Sequence, residues 1–349
     1  MAGLTLLATP LLRAATPVTV VITGGNSSET VLFDRASNIL SGFTVTNLPG
    51  NSNVRSYLNG TLVSNPNLSP VNLHFILNGG VQGTQDVLNQ ANDTTANGLQ
   101  LPPQVAVSST APETVGISSA SFTENFTLVL PQLYVKYSSV SPDLGSVTNL
   151  TQRQAAYLEG AAGTFSSSFL GGSSTSDAVY FVGRNTAAAA RAIIDANDYF
   201  TGTPASYVTN TGTGTYNGTP VLDPNGGTSA AGAVANNIKL IANSIGYLAP
   251  QNISGLTPLA YEGVPFSVAN VENGSYPIWG YERFLYLNDS QQGAPSANQL
   301  IVINALYSAI TNATYQTTSP VFVGNFVPLS GMQVQRSTFA DGGPISPLP

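Results

Sequence analysis

A stretch near the middle of the chain, Asp177 to Asp195 (DAVYFVGRNTAAAARAIID), sets the fold class. Residues 178–182 read as a buried strand, 183–186 as a tight turn, and a helix then opens on four alanines, Ala187 to Ala190. A strand leading through a tight turn into a helix N-terminus is the geometry in which backbone N–H groups and the helix dipole hold an anion. The unit recurs. Residues 17–23 end at Gly24-Gly25, and Asn26-Ser27-Ser28 caps a helix over 29–39. Residues 71–77 form a strand, followed by a glycine-rich turn over 78–83 and a helix over 84–91. Strands alternating with helices predict an α/β chain with mainly parallel sheets.

Other segments fit that class. Residues 42–48, 104–108, 245–249, 265–270, 320–326 and 332–336 read as short strands. Residues 126–135 are apolar but interrupted by Pro131, as a strand crossing between domains is. Helices are expected over 152–158 behind a Thr151 cap, 230–244 and 297–310. Residues 201–232, rich in Gly, Thr, Asn and Ser, read as a long hairpin or mobile excursion. At 349 residues the chain allows one large domain or two ordinary ones.

Charge excludes several functions. Only 8% of residues are charged, against roughly 25% in an ordinary soluble domain. The surface must therefore be Ser, Thr, Asn, Gln and Gly, which suits secreted proteins, glycosylated coats and chains that live in acid. The net charge is −7 and there is no basic run, so nucleic acid is not an expected partner. With no cysteine and one histidine, His74 on the strand 71–77, thiolate sites, histidine-based metal sites and histidine triads are excluded as expectations. The patterns G-x-S-x-G, G-x-x-x-x-G-K-[ST] and H-E-x-x-H are absent. No enzyme, cofactor or metal is expected. Residues 1–15 carry an apolar run over 4–12 that is too short to span a bilayer. They read either as a signal-like leader or as an assembly strand.

In order along the chain, the Gly24–Ser28 turn, Asn78–Gly83, Ser109–Pro112, 149–158, Gly183–Arg191, Ile245-Gly246-Tyr247 and NGSYPIWGYERFLY over 273–286 resemble the phosphate-binding proteins of ABC transporters and their secreted relatives. The resemblance runs from about Val18 to Ile345. It implies a two-lobed type II periplasmic-binding-protein fold, each lobe a mainly parallel sheet flanked by helices. Lobe 1 would be 17–125 with 262–349 and lobe 2 would be 126–261, behind an N-terminal segment 1–16. The positions it implies for a ligand in the cleft, if binding is retained, are Gly25, Asn26, Ser27, Gly79, Gly80, Ser109, Thr110, Arg184, Asn185, Thr186 and Arg191. This chain departs from the pattern at the anion loops. Thr186 and Thr110 stand where the family has aspartates, and Ala188, Ala189 and Ala190 stand where it has Ser-Gly-Thr. Each lost hydrogen bond to a charged ligand is worth about 1.5–3 kcal/mol, so two lost hydroxyls remove roughly two to four decades of affinity.

Glu282 and Arg283 are adjacent and read as a structural ion pair, Asp341 before two glycines as a turn residue, and Tyr276, Trp279, Tyr281 and Tyr286 as core. Sequons for N-glycosylation occur at Asn26, Asn59, Asn67, Asn92, Asn125, Asn149, Asn217, Asn252, Asn273, Asn288 and Asn312. The preferred expectation is an extracellular or cell-surface structural subunit of a filament or surface layer. It would be a homo-oligomer or polymer joined by strand addition through the N-terminal segment. The alternative is an extracytoplasmic, in that case periplasmic, solute-binding protein for phosphate, another small anion or a neutral solute. A carbohydrate binder using the aromatic segment is third.

Overall fold

The computed structural model describes residues 16–47, 55–209, 218–228, 230–336 and 340–349. Its principal strands, in chain order, are β1 (Val18–Gly24), β2 (Leu40–Asn47), β3 (Arg55–Leu62), β4 (Val71–Ile76), β5 (Val105–Ser108) and β6 (Phe122–Pro131). They continue with β7 (Leu133–Lys136), β8 (Tyr180–Val182), β9 (Ser244–Leu248), β10 (Thr257–Pro258) and β11 (Trp279–Leu287). The principal helices are α1 (Glu29–Ile39), α2 (Gly80–Asn89), α3 (Gln152–Ala161), α4 (Ala189–Asp198), α5 (Ala231–Leu240) and α6 (Ala297–Ile310).

A seven-stranded sheet runs β2-β3-β4-β1-β5-β11-β6 and a four-stranded sheet runs β8-β9-β7-β10. Pairing is parallel at the centre of the large sheet, where β1 lies between β4 and β5, and between β8 and β9 in the small one. Toward the edges both sheets turn antiparallel. The central parallel strands are buried almost throughout, which is why they read as continuous apolar runs. β3 alternates buried and half-buried positions, whereas β2, on the edge, is exposed at every residue after Leu40.

Each sheet has its own core. Val20, Ile22, Leu73, Phe75, Val105 and Val107 pack with Val31 and Leu32 of α1 and Val302, Ile303 and Leu306 of α6. In the second lobe, Phe181, Ile193, Ile194, Ile245 and Tyr247 pack with Tyr276 and Trp279. β6 and β11 serve both cores: Leu128, Leu130 and Phe284 face the first, Val129, Trp279 and Tyr281 the second. Pro131 ends β6 in the large sheet, and after Gln132 the chain enters the small sheet as β7. The segment 126–135 does cross between lobes.

Several local expectations are corrected. Residues 265–270 are not a strand: Ser267 accepts the Asn270 N–H (3.1 Å) and caps a short helix, Val268–Glu272. Residues 320–326 form a turn in which the Phe326 N–H donates to the Phe322 carbonyl (3.1 Å). Thr151 does cap α3, in a reciprocal capping box with Gln154. The N-terminal segment 1–15 lies outside the described residues.

Candidate functional site

The C-terminal ends of β1, β4 and β5 bring three turns together. Gly25 donates its N–H to Val107 O (2.7 Å) and Gly79 donates to Gly24 O (2.8 Å). A Cβ at Gly24, where φ is +125°, would lie 2.0 Å from the Val107 carbonyl oxygen, so only glycine fits. The first turns of α1 and α2 therefore sit beside the loop Ser108-Ser109-Thr110. On the other lobe, β8 delivers the first turn of α4 to the same place.

These two halves touch directly. A Cβ at Gly79 would lie 2.7 Å from Ala187 O, and one at Gly80 would lie 3.0 Å from Ala189 Cβ and 3.0 Å from Ser108 Oγ. Thr110 Oγ1 donates to Ala189 O (3.1 Å) across the seam. Ala188, Ala189 and Ala190 are each no more than 6% exposed. Ala187 and Ala189 thus press on the Gly79-Gly80 turn, and Ala189 is bonded to Thr110 of the next.

The structure thus brings Gly25, Gly79, Gly80, Ser109 and Thr110 together but distributes the other expected positions. Ser27 O accepts from Gln251 Nε2 (2.7 Å), and Asn26 and Ser27 line a separate cavity of about 630 Å³ with Ala231, Gly232 and Asn325. Arg184 is buried, its backbone N–H donates to the Tyr247 hydroxyl (3.0 Å), and burial lowers its guanidinium pKa. Asn185 Oδ1 accepts from the Ala187 N–H (3.2 Å). Thr186 and Arg191 face a cleft. Of the sequons, Asn67, Asn92, Asn273 and Asn312 are exposed, while Asn59 and Asn125 bond to Asn72 (2.5 Å) and Tyr286 (3.2 Å). Asn217 lies outside the described residues.

The expected Glu282–Arg283 ion pair does not form. Arg283 turns to Glu124 and, at 3.7 Å, to Asp341, while fully buried Glu282 accepts from Ser28 Oγ at 2.5 Å. Burial pushes the Glu282 carboxyl up to about 7, against hydrogen bonding by Ser28 and Ser109 and the nearby Arg283 charge. A register shift in the β11–β6 ladder between Glu282 and Arg283 separates their directions. Asp341 is likewise more than a turn residue: its Oδ2 accepts from the Ala111 N–H (2.7 Å) and Thr114 Oγ1 (3.1 Å). In the aromatic segment Tyr276, Trp279 and Tyr281 are core as expected, while Tyr286 is half-buried.

Beside the alanine seam lies a cleft of about 820 Å³ between α2, α4, residues 113–115 and residues 340–343. Arg191 Nε pairs with Asp195 Oδ2 (3.1 Å), and the Asp195 carboxyl, raised chiefly by burial, also interacts with Glu159 beneath the helix. Glu113 Oε1 accepts from the Ser119 N–H (3.1 Å), and its buried Oε2 has no partner. Gln82, Gln85, Thr114 and Thr186 add polar groups, and Tyr199 and Phe200 bring rings to the wall. Beneath α4, Tyr134 donates to Asp198, which also accepts from Tyr261 (2.5 Å), and the Glu159 carboxyl bonds to the Tyr134 hydroxyl oxygen (2.8 Å). Burial first, and then the neighbouring carboxylates, raises Glu159 well above the ordinary carboxylate range.

No protein-family profile matches the sequence, and no curated protein does. Solved structures do match the fold. A phosphate ABC transporter substrate-binding protein from Clostridium perfringens, solved with bound phosphate, is 13% identical. The match covers 89% of this chain and 99% of that one, with a TM-score of 0.59. A high-affinity periplasmic phosphate-binding protein, also solved with phosphate, is 13% identical over 89% of this chain and 91% of that one, with a TM-score of 0.53. An ABC-type phosphate transport receptor from Vibrio cholerae is 12% identical over 82% and 93%, with a TM-score of 0.51. The chain has the two-lobed α/β fold of these binding proteins. Among the described residues no helix is long and apolar enough to cross a membrane.

Proposed function

We propose that the chain is a non-enzymatic solute-binding protein acting outside the cytoplasm, and that its solute lies in the 820 Å³ cleft rather than at the anion turns. The cleft wall carries this reading. Gln82, Gln85, Thr114 and Thr186 offer amides and hydroxyls, Arg191 is already paired with Asp195, and Tyr199 and Phe200 flank them. Such a wall suits a small uncharged solute rich in hydroxyls, since it offers acceptors and stacking faces but spends its cation internally. The likeness to substrate-binding proteins supports the class, and the filled alanine seam argues against phosphate. The test is a thermal-shift screen of neutral sugars, polyols and inorganic phosphate, with calorimetry on the hits. A neutral solute should bind one to one, about tenfold more weakly in exposed Tyr199→Ala. Tight stoichiometric phosphate binding, or a response to none of these solutes, would overturn this reading.

A self-assembling structural subunit is the second role, favoured by one observation. Edge strand β2 is exposed on both faces, with Phe43 38% and Val45 51% exposed, as a strand that accepts another chain's strand is. Size-exclusion chromatography with light scattering should then show multimers of the full chain. Val45→Lys or removal of residues 1–16 should reduce them to monomers, and a monomeric full chain would dismiss the role.

A further inference from the structure

Ser28 holds the N-cap position of α1, yet its side chain makes no capping hydrogen bond to the helix. A serine there ordinarily turns its oxygen to an N–H of the first turn. Here the hydroxyl is donated instead to Glu282 Oε1, 254 residues away in sequence, and the Ser109 side chain interacts with the same carboxyl. Glu282 is 1% exposed and its Oε2 has no hydrogen-bond partner among the described residues. The bulged register opposite Leu128 and Phe126 orients it, and Thr127 Oγ1 fixes the backbone by donating to Glu282 O (3.0 Å). A carboxyl beside the first turn of an eleven-residue helix also lies at the favourable end of its dipole.

We propose that Ser28 and Ser109, from two neighbouring turns, form a carboxyl-binding site whose ligand is built in. Glu282 serves it in cis, and a chain lacking that side chain takes a small free carboxylate there. The seam between lobes is then complete without any solute, because Glu282 fills the α1 side and Ala187 to Ala190 fill the α4 side. The inference stands apart from the cleft solute, which touches neither Ser28 nor Ser109.

The experiment is thermal melting of wild type, Glu282→Ala and Glu282→Gln in chloride, formate, acetate and inorganic phosphate at matched ionic strength. Glu282→Ala should melt several degrees lower in chloride and regain stability saturably in formate or acetate. Wild type and the space-filling Gln variant should be indifferent. Phosphate should not rescue, since the Ala189 methyl and the Gly80 turn close the larger volume. If Glu282→Ala does not fold in chloride, its refolding yield from urea with and without formate becomes the readout. Absence of rescue in that variant, equal stabilisation of all three proteins, or rescue by phosphate as strong as by formate would each overturn the proposal.

Discussion

At Ala189 one methyl closes the seam on the Gly80 side. Its Cβ meets the position that a side chain on Gly80 would take, and its carbonyl accepts from Thr110. Restoring the hydroxyls and the glycine is not enough to recover an oxyanion site, because the buried Glu282 carboxyl still faces Ser28 and Ser109. The variant Ala188→Ser/Ala189→Gly/Ala190→Thr is therefore expected to bind inorganic phosphate no more tightly than about 1 mM. Isothermal titration calorimetry checks this, and a micromolar affinity would show that the three alanines alone had removed the activity.

At the level of elements, the helices were legible where local caps and periodicity agree with packing. α1 and α6 fall on the expected 29–39 and 297–310, the latter behind a Ser296–Gln299 capping box. α2 begins earlier than the expected 84, because Gly80 and Gly83 permit contact with neighbouring backbone. A Cβ at Gly83 would lie 2.5 Å from Gly24 Cα, so tertiary packing overrides glycine's poor helix propensity. The short apolar runs 265–270 and 320–326 could not be assigned by hydrophobicity alone, and hydrogen bonds within each turn decided them. Three of the turns were visible as strand–glycine–helix units. Glu282 was not visible, since its partner is set by strand register and lies in β1's turn, far off in sequence. Nor was the cleft, whose carboxylates Glu113, Asp195 and Asp341 come from three separate segments with no shared spacing.

For the whole molecule, the shortage of surface charge moves the pH response into the core. Glu282 is pushed up to about 7 and Asp198 to about 6, and Glu159, Asp195 and Glu124 are also raised, in each case chiefly by burial. A carboxyl whose folded pKa exceeds its unfolded value contributes fully below the ordinary carboxylate range, and that contribution is lost as pH rises through the folded pKa. For Glu282, fully buried and moved from 4.5 to about 7, the loss is on the order of 3 kcal/mol. His74 acts in the opposite sense. Buried and stacked on Tyr57 at 4.5 Å, it is lowered to about 4, so its contribution is present above the unfolded value of 6.5 and fades as pH falls toward 4. Several raised carboxyls outweigh one lowered imidazole, so the urea midpoint should climb from pH 8 to about pH 5 and then level off as His74 offsets further gain. Glu282→Gln should flatten the part of that climb between pH 7 and 4.5 by removing the titrating group while keeping its volume. Urea titrations at half-unit pH intervals provide the measurement, and a midpoint that is greatest at pH 7–8 would mean that the buried carboxyls are ionised and compensated in the folded chain.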